Sequence, residues 1–148
     1  MGRPAFEKLD AVWGPHTVDL FSTAAATHLP RFLPLSPADA SRGCAAAFSV
    51  DLVVENGWAS PPFSFLPQVL ARITSYLCDL TLVASRCQHQ SWWALATRYG
   101  AARVQLNRPY PTFTVAGRTT SSPSPVWRVV IIRFEKAHTT LVSAGATA

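Results

Sequence analysis

Acidic residues are scarce in this chain of 148 residues, where eight Asp and Glu stand against thirteen Lys and Arg. The formal net charge of +5 therefore reflects missing acids more than added bases, and the arginines Arg72, Arg86, Arg98, Arg103, Arg108, Arg118, Arg128 and Arg133 are scattered rather than clustered. Such a balance allows a polyanionic partner such as DNA through a diffuse basic face. It argues against two-metal nuclease chemistry, which needs several carboxylates placed at strand ends. Cysteine is also sparse. Cys44, Cys78 and Cys87 are an odd number with no C-x-x-C pair, which speaks against a disulfide framework and a zinc site built from cysteine pairs. Cys78, Cys87 and His89 lack metal-ligand spacing, so no metal is expected. No G-x-S-x-G elbow supports a hydrolase. No run approaches the roughly 18 apolar residues of a membrane span, and the opening MGRPAFEKLD lacks the apolar centre of a signal peptide. A soluble intracellular protein, nuclear or cytoplasmic and without membrane contact, is the expectation.

What is present is enough apolar material for a core. With 49% hydrophobic residues, one domain of this length can bury a substantial interior. Residues 4 to 12 place Ala5, Leu9 and Val12 at helical spacing behind Pro4 and ahead of Gly14-Pro15. HTVDLFS (16 to 22) reads as a strand, and the prolines of LPRFLPLSP read as a loop. AFSVDLVV (47 to 54) reads as a second strand closed by a turn at Glu55-Asn56-Gly57, before GWAS. Leu66, Val69, Leu70, Ile73 and Leu77 define an amphipathic helix. LTLVAS (80 to 85) is a strand of the kind buried on both faces. A helix over 89 to 99 and a strand over 103 to 107 follow. The strands PTFTV (111 to 115) and VWRVVIIRF (126 to 134) suggest a closing hairpin. AHTTLVSAGATA (137 to 148) reads as a frayed, flexible tail behind a domain of residues 1 to 136. The alternation predicts an α/β sheet with helices on its faces, whose ligands sit at the carboxyl ends of the strands.

One stretch falls at such an end. WASPPFSF (58 to 65) sets two prolines and an aromatic after an apolar run and before a helix. Pro-Pro cannot continue a helix or a central strand, so Ser60, Pro61, Pro62 and Phe63 form a stiff turn. Such a turn either stops a strand or holds carbonyls and a ring toward a ligand. Trp92 and Trp93 are expected to pack a helix against the sheet.

The succession F-x-x-L-D-x-x-W-G-P-x-T-V-D-L (from Phe6 to Leu20), P-R-F (Pro30 to Phe32), A-F-S-V-D-L (Ala47 to Leu52), W-A-S-P-P-F-S (Trp58 to Ser64), T-L-V-A (Thr81 to Ala84) and S-W-W (Ser91 to Trp93) resembles the phage-type Dam DNA adenine methyltransferases. It is similar above all to the Dam-like domain of DIRS-type retrotransposon polyproteins, over roughly residues 6 to 134. The resemblance implies a Rossmann-like methyltransferase-type three-layer sandwich with a mostly parallel sheet and a C-terminal hairpin. It implies methyl transfer from S-adenosylmethionine to the exocyclic amine of adenine in DNA. The adenine must leave the duplex to be reached. In the family, an Asn or Asp and a proline carbonyl of the turn accept from that amine, and a Tyr or Phe stacks on the base. By resemblance, Ser60, Pro61, Pro62 and Phe63 occupy the catalytic turn, with Ser60 in place of the Asn or Asp. Asp19 would face the amino-acid or ribose part of the cofactor, and Asp51 would accept from its adenine amine. Ala26, Ala46 and Leu52 stand where related sequences carry Asn, Asp and Trp, and the Gly-rich cofactor loop, often absent from this subfamily, is missing. These departures imply impaired activity, or a non-catalytic remnant of a polyprotein with weak affinity for nucleic acid.

Overall fold

Helix α1 runs from Arg3 to Trp13 in a computed structural model that describes residues 3–22, 25–34, 51–75, 77–85, 90–106, 113–115, 118–120 and 129–145. Pro4 sits in its first turn, where a missing N–H leaves nothing unsatisfied. Gly14 closes it by donating its N–H to the Asp10 carbonyl at 2.8 Å. A Cβ on Gly14 would lie 2.3 Å from that carbonyl oxygen and 2.4 Å from Asp10 Oδ1, so only glycine fits the corner.

The strands β1 (Val18–Ser22), β2 (Phe32–Pro34), β3 (Asn56–Ala59), β4 (Asp79–Ser85), β5 (Ala102–Leu106) and β8 (Val129–Phe134) form one sheet. Its order is β2-β1-β3-β4-β8-β5. A separate antiparallel pair joins β6 (Phe113–Val115) to β7 (Arg118–Thr120). The first four strands of the sheet are mutually parallel, while β8 runs antiparallel to both β4 and β5. The sheet is therefore mixed, not mostly parallel. Among the described residues the expected hairpin between 111–115 and 126–134 is not made. Every residue of β8 is buried, so this strand inserts between β4 and β5, where both of its faces are covered, while β6 pairs with β7.

Other departures have equally local causes. Phe32–Pro34, expected as loop, is strand β2; it lies at the sheet edge, where a proline at the strand end is tolerated. Residues 51 to 54 are turn rather than strand, because the Asp51 carboxylate accepts the Val53 N–H at 3.1 Å and the Asp51 carbonyl that of Val54 at 3.3 Å. The strand starts only at Asn56, inside the segment expected to turn. Residues 47 to 50 lie outside the described residues. The expected tail is helix α4 (Lys136–Ser143), which buries Thr139 and Val142.

Alternation along the strands separates two cores. Val18, Leu20, Ala59, Leu80, Leu82, Val130, Ile132 and Phe134 pack under the apolar faces of α2 (Leu66–Ile73) and α3 (Ser91–Tyr99). Phe6, Trp58, Val83, Val129 and Ile131 form the opposite core under α1. Helices thus cover both faces of the sheet. Strand β4, as expected for LTLVAS, is interior, with β3 on one side and β8 on the other. No helix among the described residues is long and apolar enough to cross a membrane.

Candidate functional site

Strand β1 lies between β2 and β3, so the chain leaves β1 to one side and later returns on the other. In open α/β sheets the crevice at the carboxyl ends of the strands flanking such a reversal is the usual place for a ligand. The register Leu20↔Ala59 sets Phe21 and Ser22 beside the turn that begins at Ser60. Phe21 is buried yet has φ of 60°, and the β1/β2 register shifts between Asp19 and Ser22. A left-handed conformation in a bulky residue costs of order 1–3 kcal/mol, and strain of this kind collects at ligand-binding positions.

The turn itself is short. Ser60 and Pro62 are half-buried and Pro61 is buried; Phe63 opens a 3-10 turn, Phe63–Phe65, that runs straight into α2. The Pro62 carbonyl accepts the Phe65 N–H at 2.8 Å, so one of the two proline carbonyls is already engaged. Among the described residues Ser60 has no hydrogen-bond partner. The side chain of Phe63 lies outside the described part.

Asp19, one residue before Leu20, is only 3% exposed. Its Oδ2 accepts the Thr27 hydroxyl at 3.0 Å and the His28 N–H at 3.3 Å. Burial raises its pKa, and the hydrogen bonds from Thr27, His28 and Ser22 recover only part of that cost. An ionised carboxylate held this way is stabilised by any cationic group brought against it. Ala26 is exposed in the neighbouring turn.

Asp51 is placed elsewhere. It is exposed, in the turn that leads into the amino end of β3, whereas Ser60 to Phe63 follow the carboxyl end. Four strand residues, about 13 Å at ~3.3 Å each, separate the two. Asp19, paired with Trp58 two residues ahead of Ser60, stands toward the same end of β3 as the turn; Asp51 does not. Ala46, Cys44 and Cys87 lie outside the described residues.

A second polar cluster, which carries no sequence motif, sits between α1 and the sheet. His16 Nδ1 lies 2.6 Å from Asp10 Oδ1, and His16 Nε2 lies 2.8 Å from Thr81 Oγ1. Arg133 donates through Nη1 to Thr81 Oγ1 at 3.0 Å and to Asn56 Oδ1 at 2.8 Å. Burial lowers the pKa of His16; Asp10 opposes this and the charge of Arg133 adds to it. The consistent proton arrangement is a neutral ring donating from Nδ1 to Asp10 and accepting the Thr81 hydroxyl at Nε2, while Thr81 accepts from Arg133. An Asp-His-Thr relay could suggest a nucleophile, but Thr81 is fully buried and no substrate can reach it. The cluster bolts α1 to β3, β4 and β8. Trp58, edge-on to Phe6 and His16 with centroids at 4.7 and 5.3 Å, shields it.

Cys78 is buried and its thiol is pushed up to about 11, chiefly by burial, which makes it a poor nucleophile. Trp92 is a core residue, as expected, while Trp93 is only partly buried. No group of three His, Cys, Asp or Glu among the described residues could hold a metal ion. Neither the models of known protein families nor the curated proteins give a match to this sequence.

Proposed function

We propose that the chain is a Dam-like, S-adenosylmethionine-binding domain of Rossmann-like methyltransferase type, with impaired methylation of adenine in DNA. The observation that carries this reading is the position of the Ser60 to Phe63 turn: it follows β3 at the reversal of strand order, next to the strand β1 that carries the buried Asp19. Helices on both faces of the sheet support the fold assignment.

When bound, S-adenosylmethionine supplies an electrophilic methyl group on a sulfonium centre. Asp19 fits such a ligand, since a buried carboxylate with a raised pKa gains from a neighbouring cation. Asp51 does not fit beside it, being exposed at the other end of β3. For an adenine rotated out of the duplex, the acceptors on offer are the Ser60 hydroxyl and the Pro61 carbonyl, because the Pro62 carbonyl holds Phe65. Phe63 would stack on the base. A serine hydroxyl reaches less far than an amide and is a weaker acceptor, and loss of one oriented polar contact at a reacting atom costs about 10²- to 10³-fold in rate.

Calorimetry with S-adenosylmethionine, followed by tritiated methyl incorporation into adenine-containing DNA, tests the reading. Binding with slow transfer is the expected result. No binding by the folded chain would reject it in favour of the second reading, a non-catalytic remnant with weak affinity for nucleic acid. The remote, exposed position of Asp51 is what favours that alternative.

A further inference from the structure

Residues 80–134 contain seven arginines and no aspartate, glutamate or lysine. This acid-free segment supplies nearly all of β4 and the whole of α3, β5 and β8, hence the far half of the sheet. Two of its arginines, Arg98 near the end of α3 and Arg103 in β5, are exposed and stand on aromatic rings. The Arg98 guanidinium carbon is 5.6 Å from the Tyr99 ring centroid, and that of Arg103 is 5.4 Å from the Trp93 centroid. Neither pairs with a carboxylate among the described residues.

A tight connection joins the two elements that carry them. Only Gly100 and Ala101 separate α3 from β5, and Ala101 donates its N–H to the Arg133 carbonyl at 2.7 Å. A Cβ on Gly100 would lie 2.8 Å from Ile132 Cγ2 and 2.7 Å from the Ala96 carbonyl oxygen, so glycine alone lets the helix end close on β8. Strand β5 is an edge strand, paired among the described residues only with β8, and Ala102, Arg103 and Val104 are exposed along it. The result is an exposed rim of guanidinium groups within cation–π distance of half-buried aromatic rings, with no acid on either element.

We infer that this α3–β5 rim binds single-stranded nucleic acid. A guanidinium held near an aromatic ring, unpaired with a carboxylate and exposed, can direct N–H groups to a phosphate oxygen while the ring beside it offers a face to an unpaired base. Partly exposed Trp and Tyr rings beside such cations are the elements from which single-strand platforms are built. The absence of acids over the whole segment removes the repulsion that a polyanion would otherwise meet. The rim is distinct from the Ser60 turn, because β4 and β8 lie between β3 and β5, about 14 Å at ~4.8 Å per strand. The inference rests on charge and stacking, not on methyl transfer, and stands or falls separately from cofactor binding.

The test is fluorescence anisotropy of a labelled single-stranded oligonucleotide titrated with the full chain over a range of salt, with an unlabelled duplex as competitor. The Arg98→Gln/Arg103→Gln variant should bind at least tenfold more weakly at low salt. Its log–log salt slope should be shallower by about 1.4, since each phosphate of a single strand that is no longer neutralised removes roughly 0.7. The Arg98→Lys/Arg103→Lys variant, which keeps charge but not the planar guanidinium, should hold the wild-type slope while its affinity falls in part. Circular dichroism confirms that each variant is folded. Wild-type affinity in the glutamine variant, no binding by the wild-type chain, or a duplex that competes as well as the single strand would overturn the proposal.

Discussion

On the proposed reading, the Ser60 side chain is the group that sets how well a flipped adenine amine is held. Ser60→Asn restores a planar amide acceptor ahead of Pro61 without changing charge, so methyl transfer to adenine should rise by about 10- to 100-fold, read as tritium counts at matched folded concentration. Phe63→Ala should lower it, because stacking on a base is worth about 1–3 kcal/mol. Background counts from wild type and both variants would leave only the remnant reading. Asp19 makes a different prediction. Its raised pKa means that the folded state holds this proton more tightly than the unfolded chain. The stabilising contribution is full below the ordinary carboxylate value of 3.8 and is lost as pH rises through the higher folded value. Asp19→Asn should therefore raise Tm at pH 7, by roughly 2–4 °C per kcal/mol relieved, and the gain over wild type should shrink as pH falls toward the ordinary carboxylate value. The same variant should weaken S-adenosylmethionine binding. A variant that is more stable and still binds as wild type would remove Asp19 from the site.

At the level of elements, α1 is tied to the sheet by the Asp10, His16, Thr81 and Arg133 cluster rather than by apolar contact alone. Thr81→Val keeps the shape but removes the hydroxyl that joins His16 to Arg133, leaving two buried polar groups without that partner. It should cost about 1–3 kcal/mol, visible as a lower urea midpoint. The folded pKa of His16 lies below the ordinary 6.5, so its stabilising contribution is complete above that pH and is lost as pH falls through the folded value. None of this was legible in the sequence, because the partners lie 6, 52 and 65 residues apart with no motif spacing. What was legible had local causes. The apolar repeat of Leu66 to Ile73, the continuous run of β4 and the Gly14 stop of α1 each depend on neighbours in the chain. The insertion of β8 beside β4 depends on contacts from distant segments, and so does the edge position that lets Phe32–Pro34 be a strand. Asp51 shows the reverse failure: its apolar flank suggested a strand, but its own side chain captures the Val53 N–H and turns the chain first. The Ser60 turn does fall at a strand end, since two prolines permit little else.

For the whole molecule, the proposed cofactor binding would be linked to folding in one equilibrium. The proposed corner joins β1, β3 and the entry to α2, which share the larger core, so a ligand seated there stabilises the domain and not a loop. A ligand that binds only the folded chain adds about 2.7 kcal/mol of stability at 100 times its Kd. For a chain of 148 residues, each kcal/mol moves Tm by roughly 2–4 °C. S-adenosylmethionine at that excess should thus raise Tm by about 5–11 °C, and the shift should grow with the logarithm of ligand concentration. Single-stranded DNA at the α3–β5 rim should add its own shift, and salt should abolish that one first, because it would depend on phosphate contacts. The two shifts should add, the sites being separated by two strands with no shared side chain. A DNA shift without a cofactor shift would identify a remnant that kept its basic rim after losing the methyl-donor corner. A cofactor shift without a DNA shift would keep the Dam-like corner and move the nucleic-acid contact away from Arg98 and Arg103.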